Sequence, residues 1–157
     1  MRTFQKVKGT PVFLLENGST VGKINDLFVD DDGCVIGFWV AGRKWWRKRK
    51  FLRMDAIVKT DPSAIFIKDA NDLSVLPDSL FRFHVGRNHL FGKPLLTEDG
   101  AVTGLLEDVY FLDDLGTIVG YEVTNGFYSD FTEGKHVVKS TMPLQVEKNR
   151  LVLRTHS

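Results

Sequence analysis

Residues 17–40 read Asn-Gly-Ser-Thr-Val-Gly-Lys-Ile-Asn-Asp-Leu-Phe-Val-Asp-Asp-Asp-Gly-Cys-Val-Ile-Gly-Phe-Trp-Val. Residues 99–123 repeat the pattern as Asp-Gly-Ala-Val-Thr-Gly-Leu-Leu-Glu-Asp-Val-Tyr-Phe-Leu-Asp-Asp-Leu-Gly-Thr-Ile-Val-Gly-Tyr-Glu-Val. Gly18, Gly22 and Asp26 return at Gly100, Gly104 and Asp108, each 82 residues on. Gly33, Gly37 and Val40 return at Gly116, Gly120 and Val123, 83 residues on, after one inserted residue. Each copy opens on a tight turn, because Asn-Gly and Asp-Gly tolerate positive φ. A long strand follows, then an acidic turn, then a returning strand.

The same order extends outward. Gly9, Pro11 and Val12 precede the first copy as Gly92, Pro94 and Leu95 precede the second. Pro11 lacks an N–H, which suits the first residue of a strand. A helical turn is expected around Met54, Asp55 and Ala56. A closing hairpin runs from Ile57 through Asp61-Pro62-Ser63 to Ile67, and its counterpart spans Leu144 to Leu153. Six short strands per unit, with closely spaced turn signals, predict an all-β chain of two tandem small β-barrels. The first barrel is expected over 1–70, a linker with a short helix or turn over 71–88, and the second barrel over 89–157. Half-length units would bury too little surface alone, so the two should pack on each other.

Period two assigns the faces of the returning strands. Ile36, Phe38 and Val40 should be core, as should Val119, Tyr121 and Val123. Trp39 then takes the place of Glu122 and should point away from the core. The long strands alternate less cleanly, which predicts cover on both of their faces.

Composition excludes several classes. The 157 residues carry a formal charge of +1 and a single cysteine, Cys34, so no disulfide forms within the chain. Cys34 has no identifiable base beside it, so a buried or inert thiol is expected. No run approaches the ~20 apolar residues that span a bilayer, and the first residues do not read as a signal peptide. A cytoplasmic location is expected. The charge is uneven: residues 1–80 carry 13 Lys/Arg against 10 Asp/Glu, and residues 81–157 carry 8 against 10.

The motif set resembles the PRC-barrel family, named for the photosynthetic reaction centre H subunit. The resemblance rests on Gly9, Pro11, Val12, Asn17, Gly18, Gly22, Ile24, Asp26, Asp32, Gly33 and Gly37, and on Gly92, Pro94, Leu95, Asp99, Gly100, Gly104, Leu106, Asp108, Asp114, Gly116 and Gly120. It implies small barrels without enzymatic activity. Such barrels occur in the H subunit and in the C-terminal half of a ribosome maturation factor, in assembly or docking roles. Neither the transmembrane helix of the one nor the separate N-terminal domain of the other is expected here, so neither specific function is expected to transfer.

The candidate contact surface is Trp39 together with Arg43, Lys44, Trp45, Trp46, Arg47, Lys48, Arg49 and Lys50. Six of the eight residues from 43 to 50 are basic and two are tryptophan. The counterpart, residues 125–135, reads Asn-Gly-Phe-Tyr-Ser-Asp-Phe-Thr-Glu-Gly-Lys, so the fold does not require the charges. Three partners fit: a protein or complex, RNA or the ribosome, and an anionic membrane surface. A solvated basic hairpin whose tryptophans cover apolar surface also fits. A docking module for a protein partner is the leading expectation. No small-molecule substrate, cofactor or metal is expected. Asp30, Asp31 and Asp32 lack the ligand spacing of a calcium loop, and His84, His89, His136 and His156 lack metal-ligand spacing with Cys34. No nucleophile elbow or phosphate loop occurs, so the chain is not expected to be an enzyme. The duplicated Asp26 and Asp108 are expected to do a structural job, such as accepting backbone N–H bonds at a turn.

Overall fold

The architecture is known from a computed structural model, which describes residues 2–30, 34–42, 49–75, 81–84, 89–112, 114–124, 135–140, 144–147 and 149–154. The first half contains β1 (Arg2–Thr3), helix α1 (Phe4–Val7), β2 (Pro11–Leu14), β3 (Thr20–Val29), β4 (Val35–Ala41), β5 (Arg49–Arg53), β6 (Ile57–Asp61), β7 (Ala64–Ile67) and β8 (Leu73–Val75). Then come β9 (Phe81–Arg82), β10 (Pro94–Thr97), β11 (Val102–Phe111), β12 (Ile118–Thr124), β13 (Lys135–Lys139), β14 (Gln145–Val146) and β15 (Leu151–Leu153). The expected helical turn is a 3-10 turn at Met54–Ala56, and a second one, Ala70–Asp72, is closed by a capping box on Asp69. Helix α1, capped by Thr3, was not expected from the sequence; it is a single turn with too few residues to show a period.

The chain is all-β, in two sheets with the same strand order. One runs β6-β7-β2-β3-β4-β5-β8 and the other β14-β15-β10-β11-β12-β13. In both, the strand after the Gly-x-Pro motif pairs in parallel with the closing strand, Val12 opposite Ile65 and Leu95 opposite Leu151. Gly22 and Gly104 sit where the partner strand passes closest. Their φ angles are 154° and 149°, and a Cβ would lie 2.3 Å from the Ala41 carbonyl oxygen or 2.5 Å from that of Thr124. Any other residue there must push a backbone aside, which is why this glycine recurs.

Each sheet borrows a strand from the other half. β1 pairs with β11, and β9 pairs with β3. Both crossings end on a buried aspartate. The Gln5 N–H donates to Asp108 Oδ1 at 3.2 Å, and the His84 N–H donates to Asp26 Oδ1 at 2.8 Å. Phe4 and Phe83, one residue before each donor, are fully buried, and both rings pack on Phe91 with centroids 6.0 and 5.2 Å away. The apolar interior is accordingly one continuous cluster that includes Leu27, Phe38, Leu52 and Ile65 from the first half and Leu95, Val109, Tyr121 and Leu151 from the second. The stretch 71–88, expected as a linker, holds β8 and β9, both strands of the first sheet.

Phe38, Val40, Tyr121 and Val123 are buried as expected, but Ile36 and Val119 are only half-buried. The cause is a bulge. Phe28 faces Gly37 while Val29 faces Val35, so Ile36 is the extra residue; Val119 is extra in the same way between Ile118 and Gly120. A bulge reverses the alternation beyond it, and Val35 and Ile118 face the core instead. The expected cover on both faces of β3 is present from Asp26 to Val29, all four of which are buried.

Candidate docking face

Pairing places Trp39 opposite Asp26 on one side and opposite Phe51 on the other, with Phe28 opposite Gly37 and Arg82. The face of the first sheet turned away from its core therefore gathers Phe28, Trp39 and Phe51. Phe28 and Phe51 are buried and meet edge-on, centroids 5.5 Å apart at 77°. Trp39 is half-buried, and two cations sit over its ring: Lys50 Nζ at 5.4 Å and the Arg82 guanidinium at 5.0 Å from the centroid. Such contacts contribute ~0.5–2 kcal/mol depending on desolvation. The Trp39 Nε1–H is shielded from solvent and has no hydrogen-bond partner among the described residues. That is a costly state for an indole donor.

Beside Phe51 lies an open depression of about 440 Å³, lined by Val35, Ile36, Phe51, Arg53, Met54 and Asp55. Its apolar floor follows from the bulge, which turns Ile36 outward. Arg53 and Asp55 form an exposed ion pair at 3.0 Å on its rim. An exposed pair of this kind contributes little stability.

Of the expected contact residues, Trp39 and Lys50 are brought together. Arg49 is the first residue of β5. Arg43, Lys44, Trp45, Trp46, Arg47 and Lys48 lie outside the described residues. They connect β4 to β5, the two strands that carry Trp39 and Phe51. Arg82 was missed because β9 lies in the presumed linker. The repeat offset could not have found it: Phe83 is the counterpart of Phe4 in burial, but it stands 9 residues before Gly92 where Phe4 stands 5 before Gly9.

The second half has the same registers and a different chemistry. Glu122 replaces Trp39 opposite the aspartate, Tyr110 replaces Phe28, Val137 replaces Phe51, and Thr3 replaces Arg82. Lys135 pairs with Glu107 at 3.1 Å, which holds its ammonium above the ordinary Lys value. Burial, with Glu122 nearby, raises the Tyr110 hydroxyl.

The two aspartates are structural groups. Asp26 Oδ1 accepts the Leu27 and His84 N–H groups, and Asp108 Oδ1 those of Val109 and Gln5. Burial raises the Asp108 carboxyl above its usual range, with the N–H bonds from Val109 and Gln5 opposing that rise. His84 is tied in by its backbone and receives the Lys8 ammonium at Nε2, 2.9 Å away. The acidic turns close locally, with Asp30 Oδ1 accepting the Cys34 N–H and Asp114 Oδ1 accepting those of Gly116 and Thr117. Cys34 is exposed. Among the described residues no three His, Cys, Asp or Glu side chains cluster as a metal site. No described helix is long and apolar enough to cross a membrane.

The profile of the PRC-barrel domain matches residues 1–73. Over 156 residues the chain is 30% identical to the uncharacterized protein YrrD of Bacillus subtilis (strain 168), a match that covers 98% of this chain and 87% of YrrD. Neither match indicates a catalytic family. The Gly-x-Pro strand, the buried aspartate and the closing hairpin thus fall within a known pattern, and the chain belongs to the PRC-barrel family.

Proposed function

We propose that this protein is a non-catalytic docking module that meets a protein partner through the Trp39 face of its first half. One observation carries the reading. At registers where the second half holds Glu122, Tyr110 and Thr3, the first half holds Trp39, Phe28 and Arg82, beside an apolar depression. Shared positions serve the fold, so an aromatic and cationic set confined to one half serves something else. The Trp39 ring is already engaged by Lys50 and Arg82, which favours a flat contact surface over a platform for unpaired bases. The partner surface fitted to it presents an apolar side chain for the depression and carboxylates for the cations. A reducing cytoplasm suits the exposed Cys34.

Capture from native lysate tests this, with and without nuclease and detergent, beside the triple variant Arg47→Ser/Lys48→Ser/Arg49→Ser. The expected result is a partner that survives nuclease and detergent and is lost with the triple variant. Loss on nuclease treatment replaces the partner with RNA. Loss on detergent treatment, with binding to anionic vesicles, replaces it with a membrane surface. Equal capture by the variant overturns the reading.

A further inference from the structure

The two sheets differ by one strand. In the first, β5 is covered along its outer edge by β8, with Leu52 opposite Leu73, Phe51 opposite Ser74 and Arg49 opposite Val75. In the second, β13 corresponds to β5, and the sheet ends there among the described residues. The other outer strands, β6 and β14, are equivalent in the two halves. Among the described residues, only at β13 does one half present a five-residue edge that its sister closes with its own chain. We propose that this edge takes an added antiparallel strand from a partner protein, an extended segment in which an acidic residue immediately precedes the apolar one.

The precedent within the molecule sets the chemistry. Leu73 is buried in the common core, and its partner Leu52 corresponds to Val138, which is half-buried and packs against that core. An incoming strand in the register of β8 places its apolar residue opposite Val138 and shields Val137, which is 45% exposed. Main-chain hydrogen bonds supply affinity in this mode, and side chains supply selectivity. The edge carries Lys135, His136 and Lys139. Lysines on an edge discourage indiscriminate pairing and favour an acidic strand. A second copy fits poorly. Antiparallel pairing of β13 with itself about Val137 sets Lys135 against Lys139 twice, and like charges directly opposite are destabilising. This site is separate from the Trp39 face, so either proposal can fail without the other.

The probe is the peptide Asp-Ala-Asn-Asp-Leu-Ser-Val, residues 69–75 of the chain itself, titrated into the ¹⁵N-labelled full-length protein. Expected are shift changes centred on residues 135–139, with slowed amide exchange there. Lys139→Glu should weaken binding about two- to fivefold, the range of one cross-strand charge pair. Leu73→Asp in the peptide should abolish it. Silence at millimolar peptide overturns the proposal. So do changes confined to β5, which would report exchange with the resident β8. Protection of 135–139 without peptide, together with a dimer in sedimentation, overturns it in favour of a second copy.

Discussion

The outer faces of the two halves have one backbone and two surfaces. Around Asp26 stand Phe28, Trp39, Phe51 and Arg82; around Asp108 stand Tyr110, Glu122, Val137 and Thr3. Strand order, both bulges and the aspartate that accepts a crossing N–H are common to the two. Duplication therefore separates what the fold needs from what one half added. The buried carboxylates, which invite a catalytic reading, belong to the first set, and the tryptophan belongs to the second.

The largest expected effect tests the shared part. Asp26→Ala removes the acceptor of two N–H groups in a buried site. It should cost about 2–4 kcal/mol in urea unfolding, with Asp26→Asn costing clearly less. Asp108→Ala should cost less than Asp26→Ala, because its crossing bond is longer. Equal losses would mean that the two crossings are energetically interchangeable.

Next come Gly37 and Gly120, which share a register and differ in crowding. A Cβ at Gly37 would lie 2.2 Å from the Leu52 carbonyl oxygen, whereas at Gly120 the nearest atom is the Val137 Cγ1, 3.3 Å away. Gly37→Ala should lower stability by about 2–3 kcal/mol and Gly120→Ala by under ~1 kcal/mol. Similar melting shifts for the two would show that the first sheet relaxes more readily than its packing implies.

Trp39→Glu gives the first half the residue of the second. Lys50 and Arg82 can pair with the new carboxylate, so the loss in stability should stay near 1–2 kcal/mol, while capture of a partner falls away. Unimpaired capture by a folded Trp39→Glu protein would remove Trp39 from the docking face.

The smallest effect concerns pH. Burial raises the Asp108 carboxyl, so the native state holds that proton more tightly than the unfolded chain does. The associated stability is present at acid pH. It is lost as pH rises from the ordinary Asp value, about 3.9, through the raised native value. Asp108→Asn should flatten that part of the stability–pH curve and leave the neutral plateau within about 1 kcal/mol of the parent. An unchanged slope would assign it to other carboxylates.

Much of the fold was legible because its signals are local. Asn17-Gly18 and Asp99-Gly100 announce turns, Pro11 and Pro94 open strands, and Met54–Ala56 forms the expected 3-10 turn. Ile36 and Val119 were misplaced because a bulge is decided by the partner strand rather than by the strand's own alternation. The contact surface was half-legible. Trp39 stood out where the copies disagree, and Arg82 did not, because its place depends on a strand crossing to the other sheet.

By itself, the sequence determined the duplicated all-β plan, its turns and the recurrence of its glycines, since these rest on residue-level φ limits and on period two. Only the tertiary structure decided that each half lends a strand to the other, that a buried aspartate secures each crossing, and that among the described residues β13 lacks the cover β5 has. Those features join residues some 50 to 110 positions apart. Pairing over such distances is selected by the shared core the sheets build together, which no local run of residues encodes.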